Sequence, residues 1–176
     1  MKIGIDLGHG LWCDGGAVGI GNEEKMINQV GKLVVRKLEA IGHEIVLCRP
    51  KSARNTLDSL WKRCKAANDT GVDLFVSLHF NASGVGGHGC ECFYISGAGK
   101  SYAESVTNAI AKLGFRNRGA KRGKYYVLRN TKAPAILVEG CFVDSQRDMG
   151  LFNSEKMATA IVEGLTGETL GSCTCR

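Results

Sequence analysis

Three apolar runs in this chain each end on a side chain able to bind a metal ion or move a proton. Asp73-Leu74-Phe75-Val76-Ser77-Leu78 runs into His79-Phe80-Asn81, Lys2-Ile3-Gly4-Ile5-Asp6-Leu7 into Gly8-His9-Gly10, and Ala135-Ile136-Leu137-Val138 into Glu139-Gly140. Short apolar runs bounded by turn residues read as strands buried on both faces. Open α/β sheets collect their ligand sites at the carboxyl ends of such strands. Two imidazoles and a carboxylate are therefore expected along one edge of one sheet.

The segments between the runs supply helices. Ile27, Val30, Val34, Leu38 and Ile41 recur at three- and four-residue spacing, with Asn22 as N-cap and Gly42 as the stop. A second helix is expected from Thr56 to Asn68 with Leu57, Leu60, Trp61 and Cys64 on its buried face, a third from Lys100 to Leu113, and a last from about Ser154. Glu44 to Cys48, Cys90 to Ile95 and Tyr125 to Asn130 read as further strands, the last at a sheet edge. Asp144 or Ser145 caps a short helical piece, and the basic stretch Arg116 to Lys124 reads as a solvated loop. The expected fold is α/β: a three-layer arrangement with a largely parallel or mixed sheet of about six strands and helices on both faces. One domain spans 1–167, and 168–176 is a tail or linker.

Composition narrows the function classes. At 176 residues with 44% apolar and 23% charged residues the chain can bury one ordinary core. No apolar run approaches the ~20 residues of a membrane span. The amino terminus lacks the apolar core and cleavage site of a signal peptide, so synthesis in the cytoplasm without a signal peptide is expected. Eight scattered cysteines in a chain of this size are expected to be reduced thiols, with Cys48, Cys64 and Cys92 as small buried hydrophobes. The net charge of +6 suits nucleic acid or a polyanionic bacterial wall. Gly15 to Gly21 is glycine-rich but lacks the Gly-Lys-Ser/Thr ending of a phosphate loop, which argues against nucleotide binding.

Catalytic zinc takes three protein ligands and keeps a fourth position for water. His9, Glu24 and His79 form a two-histidine, one-glutamate set, with Glu24 alternatively a simple helix-start charge favoured by the dipole. His88 lies in a glycine loop that would hold a ligand poorly, and His43 sits in a turn. Glu139 is placed to accept and return a proton, or to salt-bridge an arginine. Spacing leaves four readings open. They are a metallohydrolase, a cysteine hydrolase with Cys141 as nucleophile and His79 as base, a basic recognition module without catalysis, and the same groups as structural pairs.

Several blocks in order favour the first. Ile5-Asp6-Leu7-Gly8-His9-Gly10, Gly16-Ala17-Val18-Gly19 with Glu24-Lys25, Ser77-Leu78-His79-Phe80-Asn81-Ala82, Arg118-Gly119-Ala120-Lys121, and Tyr126 through Phe142 occur in that order. Together they resemble the zinc-dependent N-acetylmuramoyl-L-alanine amidases of the type-3 amidase family, and within it the catalytic domains of clostridial phage endolysins. The resemblance runs from Met1 to about Gly167. It implies one Zn²⁺ held by His9, Glu24 and His79, with Glu23 set aside because no Lys follows it. It implies Glu139 as the catalytic acid/base and bacterial peptidoglycan as the substrate, cleaved between N-acetylmuramic acid and the L-alanine of the stem peptide. Asn81, Arg118, Lys121 and Arg129 are the expected substrate contacts.

Nucleic acid and membrane are not expected partners, the chain is expected to be a monomer or weak dimer, and relatives can carry a separate wall-binding domain. An endolysin acting on the wall after release is the expected role, with a sporulation or cell-separation amidase or a non-catalytic wall-binding module as alternatives. Two departures stand out: Leu7 replaces the family's usual Pro or Ala, which concerns packing, and Gly140-Cys141 replaces a small polar pair.

Overall fold

A computed structural model describes residues 1–170. The chain runs β1 (Lys2–Leu7), α1 (Glu23–Ala40), β2 (Glu44–Leu47), α2 (Thr56–Thr70), β3 (Leu74–Asn81), β4 (Cys90–Tyr94), α3 (Gly97–Ala111), β5 (Asn117–Arg122), α4 (Tyr126–Asn130), β6 (Ala135–Phe142), α5 (Gln146–Leu151) and α6 (Ser154–Thr166). Residues 171–176 of the expected tail, with Cys173 and Cys175, lie outside the described residues.

The six strands form one mixed sheet in the order β2-β1-β3-β6-β4-β5. Neighbours are parallel except at β4–β6, which is antiparallel. The three apolar runs are adjacent at the centre, β1 beside β3 beside β6, so their carboxyl ends lie side by side. Leu7 pairs with Leu78, and His79 with Glu139.

The period-2 alternation of strands divides the side chains between two cores. Ile3, Ile5, Leu74, Val76, Leu78, Ile136 and Val138 face α1, α3 and α6. Phe75, Ala135 and Leu137 face α2 and α4 through Cys64, Ala67, Val127 and Leu128. By the same alternation Asp6, Ser77 and Glu139 fall on the α2/α4 side. Asp6 and Ser77 are buried there, with Ser77 Oγ donating to Asp6 Oδ2 at 2.7 Å and Arg63 Nη1 to Asp6 Oδ1 at 2.6 Å. Leu7 packs under α1, where a side chain at Gly31 would collide with Leu7 Cδ2. The departure at Leu7 is thus absorbed by close packing against a glycine.

Three expectations are corrected. The basic stretch is not a loop: Asn117–Arg122 is edge strand β5, paired in parallel with β4. Tyr125–Asn130 is not a strand: Tyr126–Asn130 is helix α4, which puts Val127 and Leu128 into the core beside α2. Its aromatic and β-branched residues favour a strand locally, but packing overrides that weak preference. On α2, Leu57 and Trp61 are exposed at 61% and 49%, while Cys64 and Ala67 are buried. Arg63, fully buried on the same helix, occupies the space nearest the sheet.

Candidate metal and catalytic site

The site is built from the segment after β1, the first turn of α1, and the carboxyl-terminal halves of β3 and β6, which continue past His79 and Glu139 to Asn81 and Phe142 rather than ending before them as expected. A cavity of about 490 Å³ opens over them, lined among others by His9, Glu23, His79, Asn81, Tyr126 and Glu139. Gly8 brings the backbone against the His79 ring, with which a Cβ at that position would collide.

His9, Glu23 and His79 converge, with one ligand atom from each within 4.8 Å of the others. His9 Nε2 lies 3.1 Å from Glu23 Oε1, and His79 Nδ1 lies 3.2 Å from the same oxygen. The two rings meet edge to face with centroids 4.8 Å apart. The other nitrogen of His9, Nδ1, is 2.7 Å from Asp14 Oδ1. A carboxylate behind a histidine in this way fixes ring orientation and raises its basicity, as second partners of metal-bound histidines do.

Glu23 also accepts from Ala17 N–H at 2.7 Å and Phe80 N–H at 3.1 Å. Burial alone would raise its pKa, but hydrogen bonds from His79 and His9 outweigh burial and hold the carboxyl well below the usual range. Burial likewise disfavours a charged His9, yet Glu23 and then Asp14 raise its pKa to about 9. Nothing but a proton or a cation would hold these groups together, and two nitrogens with one carboxylate oxygen is a donor set suited to Zn²⁺.

This corrects the glutamate assignment. Glu24 is not in the cluster; Glu23 is. The reason is helical phase. Glu23 stands three, four and seven residues before the buried Met26, Ile27 and Val30, so it shares the stripe that faces the sheet. Glu24 is turned about 100° away from it.

Glu139 stands opposite His79 on the neighbouring strand. Its Oε2 is buried with no hydrogen-bond partner among the described residues. Burial, then the charges of Glu23 and Glu91, push its pKa up to about 8 against the opposing pull of His9. It forms no salt bridge to an arginine among the described residues.

The expected substrate contacts divide. Asn81 lines the cavity, and its Nδ2 donates to Glu91 Oε1 at 2.9 Å. Arg118 Nε and Lys121 Nζ both bond Glu91 Oε2, and Arg118 stacks 5.0 Å over Phe142. Neither lines the cavity. Arg129 is exposed on α4 and does not line it either. Glu91, unmarked by any sequence pattern, is buried directly across from Glu139 in the β4–β6 pair. Burial opposes its ionisation, but Lys121 and Arg118 hold its pKa below the usual value.

His88 and His43 stand apart from the cluster. Cys141 packs into the core under α1, α3 and α6, and burial followed by nearby acidic groups raises its pKa far above a thiol's ordinary value. It is no nucleophile facing the cavity. The six described cysteines are all free.

Two histidines and one carboxylate converge toward the carboxyl ends of the central strands, with a buried carboxyl beside them; such a donor set fits Zn²⁺. The chain belongs to the N-acetylmuramoyl-L-alanine amidase family, whose sequence model matches residues 3–167. It is 34% identical over 168 residues to the N-acetylmuramoyl-L-alanine amidase CwlM of Bacillus licheniformis, covering 93% of this chain and 65% of that protein. It is 30% identical to the endolysin of Bacillus phage SPP1, covering 92% of this chain and 62% of that one. Among solved structures, the catalytic domain of an endolysin targeting Clostridia difficile superposes with a TM-score of 0.89 at 29% identity, covering 97% of this chain and 99% of that one. The chain thus spans less than two thirds of the length of these curated relatives.

Proposed function

We propose that the chain is a peptidoglycan hydrolase that cleaves the amide between N-acetylmuramic acid and the L-alanine of the stem peptide, using one zinc ion held by His9, Glu23 and His79. The observation that carries this reading is the Glu139 carboxyl, whose buried Oε2 has no hydrogen-bond partner among the described residues, standing beside the converged His9–Glu23–His79 set in an open cavity. When bound, zinc supplies the Lewis acid that polarises the amide carbonyl and acidifies water. Glu139 takes the proton from the attacking water and returns it to the departing alanine amine. Its raised proton affinity suits it to both tasks. Asp14 holds His9 in the ring orientation that presents Nε2 to the site.

Asn81 is the substrate contact at the cavity wall. Arg118 and Lys121, with side chains 29% and 41% exposed, keep Glu91 neutralised and offer their remaining donors to stem-peptide carboxylates. Residues 1–167 form the catalytic unit. Likeness to phage endolysins along almost the whole chain supports an endolysin released to act on the wall. Production in a Gram-positive host separates the roles: lysis that needs a co-expressed membrane pore supports the endolysin, and lysis without one refutes it.

The central test is lysis of purified Gram-positive walls by wild type and Glu139→Gln, with bound zinc counted in both. Release of alanine amino termini by wild type, lost in a variant that still holds one zinc, is the expected result. A metal-free wild type that only binds walls would overturn the enzyme reading.

A further inference from the structure

His9 is the one non-glycine residue with a positive φ, +53°, among the described residues. A histidine in the left-handed region persists only where its surroundings over-determine it. Here the surroundings are two guanidinium groups. Arg49, two residues beyond the end of β2, donates through Nε to Leu7 O at 2.5 Å and through Nη2 to Gly8 O at 2.6 Å. Arg63 on α2 donates through Nη1 to Leu7 O at 2.6 Å and through Nη2 to His9 O at 2.8 Å. Three successive carbonyls, those of Leu7, Gly8 and His9, thus all point at arginine, and Leu7 O accepts from both.

Each arginine is itself anchored. Arg49 Nη1 donates to Asn28 Oδ1 of α1 at 2.6 Å, and Arg63 to Ser59 Oγ and Asp6 Oδ1. Gly10 leaves room for Arg49, since a Cβ there would lie 2.7 Å from the guanidinium carbon.

We infer that Arg49 and Arg63 are positioning residues for the cation site: their paired forks hold the backbone of 7–9 in the strained turn that aims His9 at Glu23 and His79. The inference rests on the metal reading above. Electrostatics makes it discriminating. Asp6 pairs with Arg63, and Asp6, Glu24 and Asp14 act on Arg49, but each guanidinium taken by itself repels a bound cation. If the arginines acted only through charge, removing one would tighten zinc binding. If they acted only on the fold, removing one would lower the melting temperature of the metal-free chain and leave zinc affinity unchanged. A positioning role weakens zinc binding although a repulsive charge has gone.

Arg49 is the better position to test, being half-buried where Arg63 is fully buried. The zinc dissociation constant of wild type, Arg49→Met and Arg49→Lys is measured by competition with a chromophoric chelator, alongside the visible spectrum of the Co²⁺-loaded proteins and the melting temperature of the metal-free ones. Lysine keeps the charge but cannot serve two carbonyls and Asn28 at once. Both variants are expected to weaken zinc by roughly 10–100-fold, the usual effect of removing a supporting partner behind a metal ligand, and to change the Co²⁺ spectrum. Unchanged or tighter zinc in Arg49→Met, or full rescue by Arg49→Lys, overturns the inference. A wild type that takes up no zinc overturns the metal reading itself and the clamp with it.

Discussion

Replacing Glu23 and Glu24 one at a time by glutamine tests the site most directly, because the two stand side by side at the start of the same helix. Glu23 is 4% exposed and its carboxylate serves four partners: His9, His79, Ala17 N–H and Phe80 N–H. A glutamine has one acceptor oxygen, so Glu23→Gln turns an NH₂ group toward either Ala17 N–H or Phe80 N–H. Leaving one buried donor unsatisfied costs about 1–3 kcal/mol. The same change removes the charge from the proposed metal ligand. Loss of a partner merely behind a ligand weakens metal binding about 10–100-fold, so loss of the ligand itself is expected to cost at least about 100-fold, or roughly 2.7 kcal/mol. Glu24, half-exposed and off the buried stripe, is expected to change folding stability by no more than about 0.5 kcal/mol and to leave zinc affinity intact. The assay is chelator competition for zinc together with thermal unfolding of the metal-free chains. If Glu24→Gln loses zinc while Glu23→Gln retains it, the helical-phase argument and the ligand set both fail.

The same geometry sets two other outcomes. In the metal-free chain the folded Glu139 carboxyl keeps its proton to about pH 8, against 4.5 for the ordinary group. The unfolded chain sheds that proton first, so stability falls as pH climbs from 4.5 to 8. Glu139→Gln should therefore raise the melting temperature at pH 8–9 far more than at pH 4.5, and an equal rise at both would refute the burial argument. Separately, a Cβ at Gly164 of α6 would lie 2.5 Å from Val106 Cα of α3. Backbone has little room to yield, so Gly164→Ala should destabilise by about 1–3 kcal/mol in urea unfolding, despite alanine's better helix propensity.

Much of the scaffold was legible because its signals are local. Asn22 and Ser145 cap their helices through side-chain oxygens, as their residue types lead one to expect. The phase of α1 was also written in the sequence: Ile27, Val30 and Val34 point back to Glu23. A dipeptide pattern, Glu24-Lys25, led to the wrong neighbour because it ignores which way a helix turns.

The order of residues was enough to place three central strands and to mark His9 just past one and His79 and Glu139 on the other two, because an apolar run between turns favours burial. It stopped two of the strands short: β3 and β6 continue past His79 and Glu139 to Asn81 and Phe142. It left undecided whatever depends on partners distant in the chain. Arg116 to Lys124 looks like a solvated loop until β4 offers its edge and Glu91 draws Arg118 and Lys121 inward. Tyr125 to Asn130 looks like a strand until α2 offers an apolar wall for Val127 and Leu128. Asp14, Arg49 and Arg63 carry no pattern at all. The two arginines act only where the turn after β1 meets residues some 40 and 55 positions away. A side chain's neighbours along the chain set its conformation, but its charge acts on whatever the fold brings within a few ångströms, and only the tertiary structure says what that is.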